Sequence, residues 1–133
     1  MHDFLKVNVD ASFIEKDMAG ATGTILRDEW GHFIVATTWF IPNVSDAAMA
    51  ESLALRNGLN LVANIGCSKL ETEPGCQLVV EAVKDPVGFL GAQSATIVEC
   101  VQIANDFGQI QFGLCNRGAN LVADALAKQA YRS

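Results

Sequence analysis

The sequence predicts an α/β fold in which a mixed five-stranded sheet, its first three strands antiparallel, is flanked by helices. Three observations predict it. Residues 5–13 alternate, with Leu5, Val7, Val9, Ala11 and Phe13 set against Lys6, Asn8, Asp10 and Ser12, the period of two that marks a strand with one buried face. Two more β-rich runs follow at once. Beyond them helical periods alternate with short strands, and hairpin strands followed by strands separated by helices call for a mixed sheet with helices on its faces.

Each element has its own local reason. Residues 21–27 and 33–40 are rich in β-branched and aromatic side chains and are joined by Asp28-Glu29-Trp30-Gly31-His32, which has the turn chemistry of a hairpin. Ser45 is placed to cap a helix over about 46–65, because Ala47, Ala50, Ala54, Leu55, Leu59 and Val62 recur at helical spacing and Gly66 supplies a C-terminal stop. Residues 69–73 read as a short strand, 76–83 as a short helix before Pro86, 95–107 as a helix, 109–114 as a last strand and 119–131 as a last helix. The stretch 84–93 contains Pro86, Gly88 and Gly91 and is short enough to stay within one domain.

Composition bounds the function classes. With 133 residues, half of them apolar and 18% charged, the chain is expected to be a single domain, 1–133, with a real core. Both ends fall close to the outermost elements, which suggests a domain cut from a longer protein. The four cysteines, Cys67, Cys76, Cys100 and Cys115, are scattered without a C-x-x-C pair, and no apolar leader precedes the first strand. Reduced thiols in an intracellular protein are therefore expected, in nucleus or cytoplasm alike. Charged or polar residues interrupt every apolar run, so no membrane association is expected. Nine Lys and Arg face fifteen acids, a formal charge of −6, which argues against broad electrostatic binding of nucleic acid. A cluster of metal-binding carboxylates would account for part of that excess.

Three acids stand out. Asp10 lies inside the first strand, where Asp is disfavoured. Glu51 borders a stripe of small residues on the first helix, and Asp124 falls in the first turns of the last one. Each alone reads as an ordinary acid, exposed on a polar face or favoured by a helix dipole. Together they occur in Lys6-Val7-Asn8-Val9-Asp10-Ala11-Ser12, Ala50-Glu51-Ser52-Leu53-Ala54-Leu55-Arg56-Asn57-Gly58-Leu59 and Asn120-Leu121-Val122-Ala123-Asp124-Ala125-Leu126-Ala127-Lys128. With the glycine-rich Ala19-Gly20-Ala21-Thr22-Gly23 and the segment Cys76-Gln77-Leu78-Val79-Val80-Glu81-Ala82-Val83, this ordered set resembles the plant reverse-transcriptase-like, retroelement-type branch of the ribonuclease H family. The resemblance covers nearly the whole chain.

It implies a ribonuclease H-like fold in which Asp10, Glu51 and Asp124 converge as catalytic, metal-holding carboxylates. It implies two Mg2+ or Mn2+ ions, one activating water and the other stabilising the leaving oxygen. The substrate it implies is the RNA strand of an RNA–DNA hybrid, cut to leave a 5′-phosphate, with Ser12, Arg117 and Asn120 at substrate-binding positions.

The sequence also departs from the family. The third carboxylate is an Asp just after the fourth strand. If Glu71-Thr72-Glu73 matches that context, Glu73 is the ligand and the following helix is displaced by two residues. If Glu73-Pro74-Gly75 matches, the helix stays in register and the ligand has become Gly75, the preferred alignment because a register shift at a strand end is costly. Leu114 stands where the family often has a His. Two functions follow: a metal-dependent hybrid ribonuclease with weak or partial metal occupancy, impaired by Gly75, or a catalytically degenerate domain that binds nucleic acid or a protein partner. Trp30 and Trp39 read as core or sheet-surface aromatics, since nothing basic accompanies them.

Overall fold

The computed structural model describes residues 2–86, 94–113, 122–123 and 125–128. Strands β1 (His2–Ile14), β2 (Ala19–Asp28) and β3 (Phe33–Ile41) form an antiparallel meander. Helix α1 (Ala47–Ile65) then leads to β4 (Cys67–Pro74), α2 (Gln77–Lys84), α3 (Ser94–Ala104) and β5 (Gln109–Phe112). The sheet order is β3-β2-β1-β4-β5, with β4 parallel to β1 and β5 parallel to β4. The predicted mixed five-stranded sheet is thus present.

Helix α1 lies against the middle of the sheet because its sequence lets it come close. A Cβ at Gly58 would stand 2.5 Å from Val9 Cγ1, so only glycine permits this approach. Leu5, Val7, Val9 and Leu26 of the sheet pack with Ala54, Leu55, Leu59 and Val62 of α1. The helix begins one residue later than the Ser45 cap expected, because Asp46 takes that role: its Oδ1 accepts from Met49 N at 2.8 Å. It ends as expected at Gly66, whose φ of 87° belongs to the left-handed region and whose N–H donates to Val62 O at 2.7 Å.

One expectation about β1 needs correction. Alternation predicted a single buried face, yet Asn8 and Asp10 are only 0% and 7% exposed, like the apolar Val7 and Val9 beside them. The reason is nonlocal. β1 is the central strand, and Ala123 and Ala127 lie over its second face beside Asp10: a Cβ at Gly23, the residue opposite Asp10 on β2, would collide with the Ala123 carbonyl and meet Ala127 N at 2.9 Å. Of the helix expected at 119–131, residues 122–123 and 125–128 are described and are helical. Helix α3 stops at Ala104, three residues short of the expected end, because Phe107 N turns back to Ala104 O ahead of Gly108.

Candidate active site

The site forms where β1 outruns β4. The parallel ladder runs through Asn8 opposite Glu73 and Val9 opposite Pro74, and there β4 ends. Gly75 N–H still donates to Val9 O at 2.9 Å, which carries the chain past the flank of Asp10. Two residues further along β1, the Ala11 N–H meets no strand and donates instead to Glu51 Oε1 at 3.2 Å. Glu51 sits in the second turn of α1, with fully buried Ala50 and Ala54 around it, and these small side chains let that end of the helix close on the sheet. Asp10 and Glu51 are therefore brought to the same strand end, one residue apart in register.

Ser12, two residues beyond Asp10 on the same side of β1, has a buried Oγ without a hydrogen-bond partner among the described residues. Buried hydroxyls are normally satisfied, and an exception asks for an unseen partner. Asp124, Arg117, Asn120 and Leu114 lie outside the described residues. What is described of the last helix, at Ala123 and Ala127, lies on Gly23, across the ladder from Asp10.

Glu73 is placed differently from Gly75. It is 3% exposed, opposite Asn8 and one ladder step below Asp10. Lys6 Nζ lies 2.8 Å from its Oε1, and Asn8 Nδ2 donates to its Oε2 at 3.1 Å. Arg27 Nη1 extends the row, donating to Asn8 Oδ1 at 3.4 Å. This Arg27–Asn8–Glu73–Lys6 row across β2, β1 and β4 was missed by the sequence reading. The available signal was the pairing of two polar strands: Lys6 and Asn8 share Asp10's face of β1, and Glu73 falls opposite Asn8 once β4 is set parallel to β1.

Gly75 does not have a backbone angle reserved for glycine, since positive φ among the described residues occurs only at Met18, Gly31 and Gly66. A purely conformational reason for glycine in this turn is thereby removed. Trp30 and Trp39 are surface residues, 75% and 63% exposed, the first in the β2–β3 turn and the second on β3. The cysteines Cys67, Cys76 and Cys100 are free thiols. Burial, helped by the nearby Glu99 charge, pushes the Cys100 thiol up to about 12, in keeping with its place as a donor to Ser52 O at 3.8 Å. No described helix is long and apolar enough to cross a membrane. Among the described residues no three His, Cys, Asp or Glu side chains gather as a metal-holding group.

Taken as a whole, the meander, the central parallel pair and the crossing helix make a ribonuclease H-like fold. The chain is similar to ribonuclease H1 of the halophilic archaeon Halobacterium salinarum NRC-1, with a TM-score of 0.88 at 21% identity over 97% of this chain and 98% of that one. It is similar to the N-terminal RNase H domain of rv2228c from Mycobacterium tuberculosis, with a TM-score of 0.88 at 18% identity over 98% and 94%. LC11-RNase H1, solved in complex with an RNA/DNA hybrid, gives a TM-score of 0.85 at 17% identity over 96% of each chain. The model of the reverse transcriptase-like family matches residues 8–130, and the chain belongs to that family. No curated protein matches it in sequence.

Proposed function

We propose that the domain is a metal-dependent ribonuclease of the RNA–DNA hybrid type whose activity is reduced by the glycine at position 75. The observation that carries this reading is the hydrogen bond from Ala11 N–H to Glu51 Oε1, which ties Glu51 to the residue next to Asp10 in β1. Asp124, on the motif match, is the further carboxylate that joins them.

The donor chemistry fits a hard divalent cation, since Asp10 and Glu51 offer carboxylate oxygens and the buried Ser12 hydroxyl has no other described partner. Magnesium or manganese, when bound, would supply an activated water and charge neutralisation at the scissile phosphate. The chain's own residues do the rest. The Ala11 amide orients the Glu51 carboxylate, and β1 fixes Asp10 in a rigid central strand, which limits the misplacement that costs rate. Arg117, Asn120 and Ser12 are our candidates for contacts to the nucleic acid. With Gly75 in place of an acid, less negative charge holds the cations, so weak or partial occupancy follows. The free thiols at Cys67, Cys76 and Cys100 support an intracellular setting.

A second reading is favoured by one observation. Both Glu73 oxygens are engaged by Lys6 and Asn8, so moving this acid to the place beside Asp10 would break an ion pair whose carboxylate is buried and whose lysine is half-buried. A site without that replacement suits a domain that binds a hybrid and no longer cuts it. A cleavage assay on an RNA–DNA hybrid, with magnesium and with manganese and a DNA duplex as control, decides between them. Slow RNA-strand cleavage that Asp10→Asn abolishes is expected. Hybrid binding without cleavage in either metal would give the second reading the lead.

A further inference from the structure

The two edges of the sheet are built differently. β5 at one edge is four residues long, while β3 at the other is nine, Phe33–Ile41. β3 contains no ionisable side chain and no proline. Among the described residues nothing pairs with its outer side. Phe33, Trp39 and Phe40 on it are 64%, 63% and 47% exposed. Edges of this length are usually protected by lysine, proline or inward-pointing charge. Among the described residues the one such device is an irregularity in register between Leu26 and Arg27, opposite the start of β3.

We propose that β3 pairs antiparallel with β3 of a second copy of this chain, about a twofold axis at Thr37, to make a continuous ten-stranded sheet. The strand's own sequence selects that occupant. About Thr37, Val35 of one copy stands opposite Trp39 of the other, Ile34 opposite Phe40 and Phe33 opposite Ile41. Every aromatic residue thus meets a β-branched one, a favourable cross-strand pairing. Charge at the seam itself does not oppose that choice. Two chains of formal charge −6 repel as wholes, and β3 brings no like charges face to face. A twofold pair uses the same patch on both copies and closes on itself, so it stops at two. The pairing does not depend on the catalytic reading, because Asp10 and Glu51 lie at the end of the central strand and not on β3.

Sedimentation velocity on the intact chain, from micromolar to hundreds of micromolar, is expected to show a monomer–dimer equilibrium that stops at twice the monomer mass. In a Thr37→Cys variant the two Cα atoms would lie about 4.5–5.5 Å apart, within the roughly 4.4–6.8 Å span of a disulfide. Mild oxidation is expected to give a cross-linked dimer, well above the unmodified chain with its own thiols and above Gln111→Cys on β5. Thr37→Lys sets two like charges opposite each other and is expected to weaken the dimer at least tenfold while leaving the melting temperature at dilution unchanged; Trp39→Lys serves if that variant does not fold. A chain of monomer mass at every concentration, a mass that rises without limit, or a dimer that survives the lysine overturns the proposal. Equal cross-linking at Gln111→Cys overturns it too.

Discussion

Placing a carboxylate at position 75 is the sharpest perturbation of the candidate site. Gly75→Asp should fold, because the position is exposed, its backbone angle is not one that only glycine adopts, and its N–H bond to Val9 O is independent of the side chain. On the gapless alignment the new acid would stand beside Asp10 at the end of the parallel ladder. Without metal the added like charge should lower stability by about 1 kcal/mol or less, since the position is exposed and screened. With metal the sign reverses. If the variant binds magnesium at a Kd tenfold below the working concentration, linkage adds about 1.4 kcal/mol, or roughly 3–6 °C in Tm for a domain of this size. Differential scanning fluorimetry across a magnesium series reads that shift directly, and the unmodified chain should show a smaller one. Hybrid cleavage should rise by about a hundredfold, equivalent to about 2.7 kcal/mol of transition-state stabilisation. A folded variant with the same magnesium response as the parent and no gain in cleavage refutes the reasoning and favours the noncatalytic reading.

Three further perturbations test the packing around the site. Gly58→Ala should destabilise by about 1–3 kcal/mol in urea titration, because the overpacking cost against Val9 Cγ1 exceeds the roughly 1 kcal/mol that alanine gains in a helix; a more stable variant would show that α1 can move away. Lys6→Met leaves Glu73, 3% exposed, without its 2.8 Å cation and should cost about 2–4 kcal/mol at neutral pH, with Lys6→Met/Glu73→Leu recovering much of it; no recovery would assign the loss to lysine packing alone. Cys100, with its thiol raised by burial to about 12, holds its proton more tightly folded than unfolded, so stability should fall as pH climbs from about 9 towards 12. Cys100→Ala should flatten that decline, and an unchanged slope in chemical denaturation would count against the assignment.

Much of the fold was legible because it rests on local periods. The alternation of residues 5–13, the hairpin signal at 28–32 and the spacing of Ala50, Ala54, Leu55, Leu59 and Val62 each point to one element, and each element is present. What the sequence concealed was nonlocal. The burial of Asp10 goes with Ala123 and Ala127 closing over Gly23 opposite it, and Asn8 is enclosed by Glu73 and Arg27 of the neighbouring strands; no window along β1 contains that information. The cap of α1 went to Asp46 over Ser45 because both residues can cap and only the path of the incoming chain chooses between them. The exposure of Trp39 follows from β3 being an edge, and a strand's place in the sheet is invisible to its own sequence.

The site itself arises from a mismatch in strand length. β1 pairs with β2 as far as Ile14 opposite Ala19, yet with β4 only as far as Val9 opposite Pro74. Beyond that point the β4 side of β1 carries backbone groups that no strand satisfies, and an unsatisfied buried amide is costly. Two neighbours meet that demand: Gly75 N–H reaches Val9 O, and the Glu51 carboxylate reaches Ala11 N–H. The geometry that completes the backbone's hydrogen bonding therefore also draws an acid from α1 to the side of Asp10. A carboxylate held by a backbone amide is oriented by the sheet, not by another side chain that can drift. By the same reasoning a glycine at position 75 leaves the backbone arrangement untouched, since the N–H bond to Val9 O is a main-chain bond. The fold can thus take either glycine or an acid here without change of structure, so that on the proposed reading the difference falls on function alone.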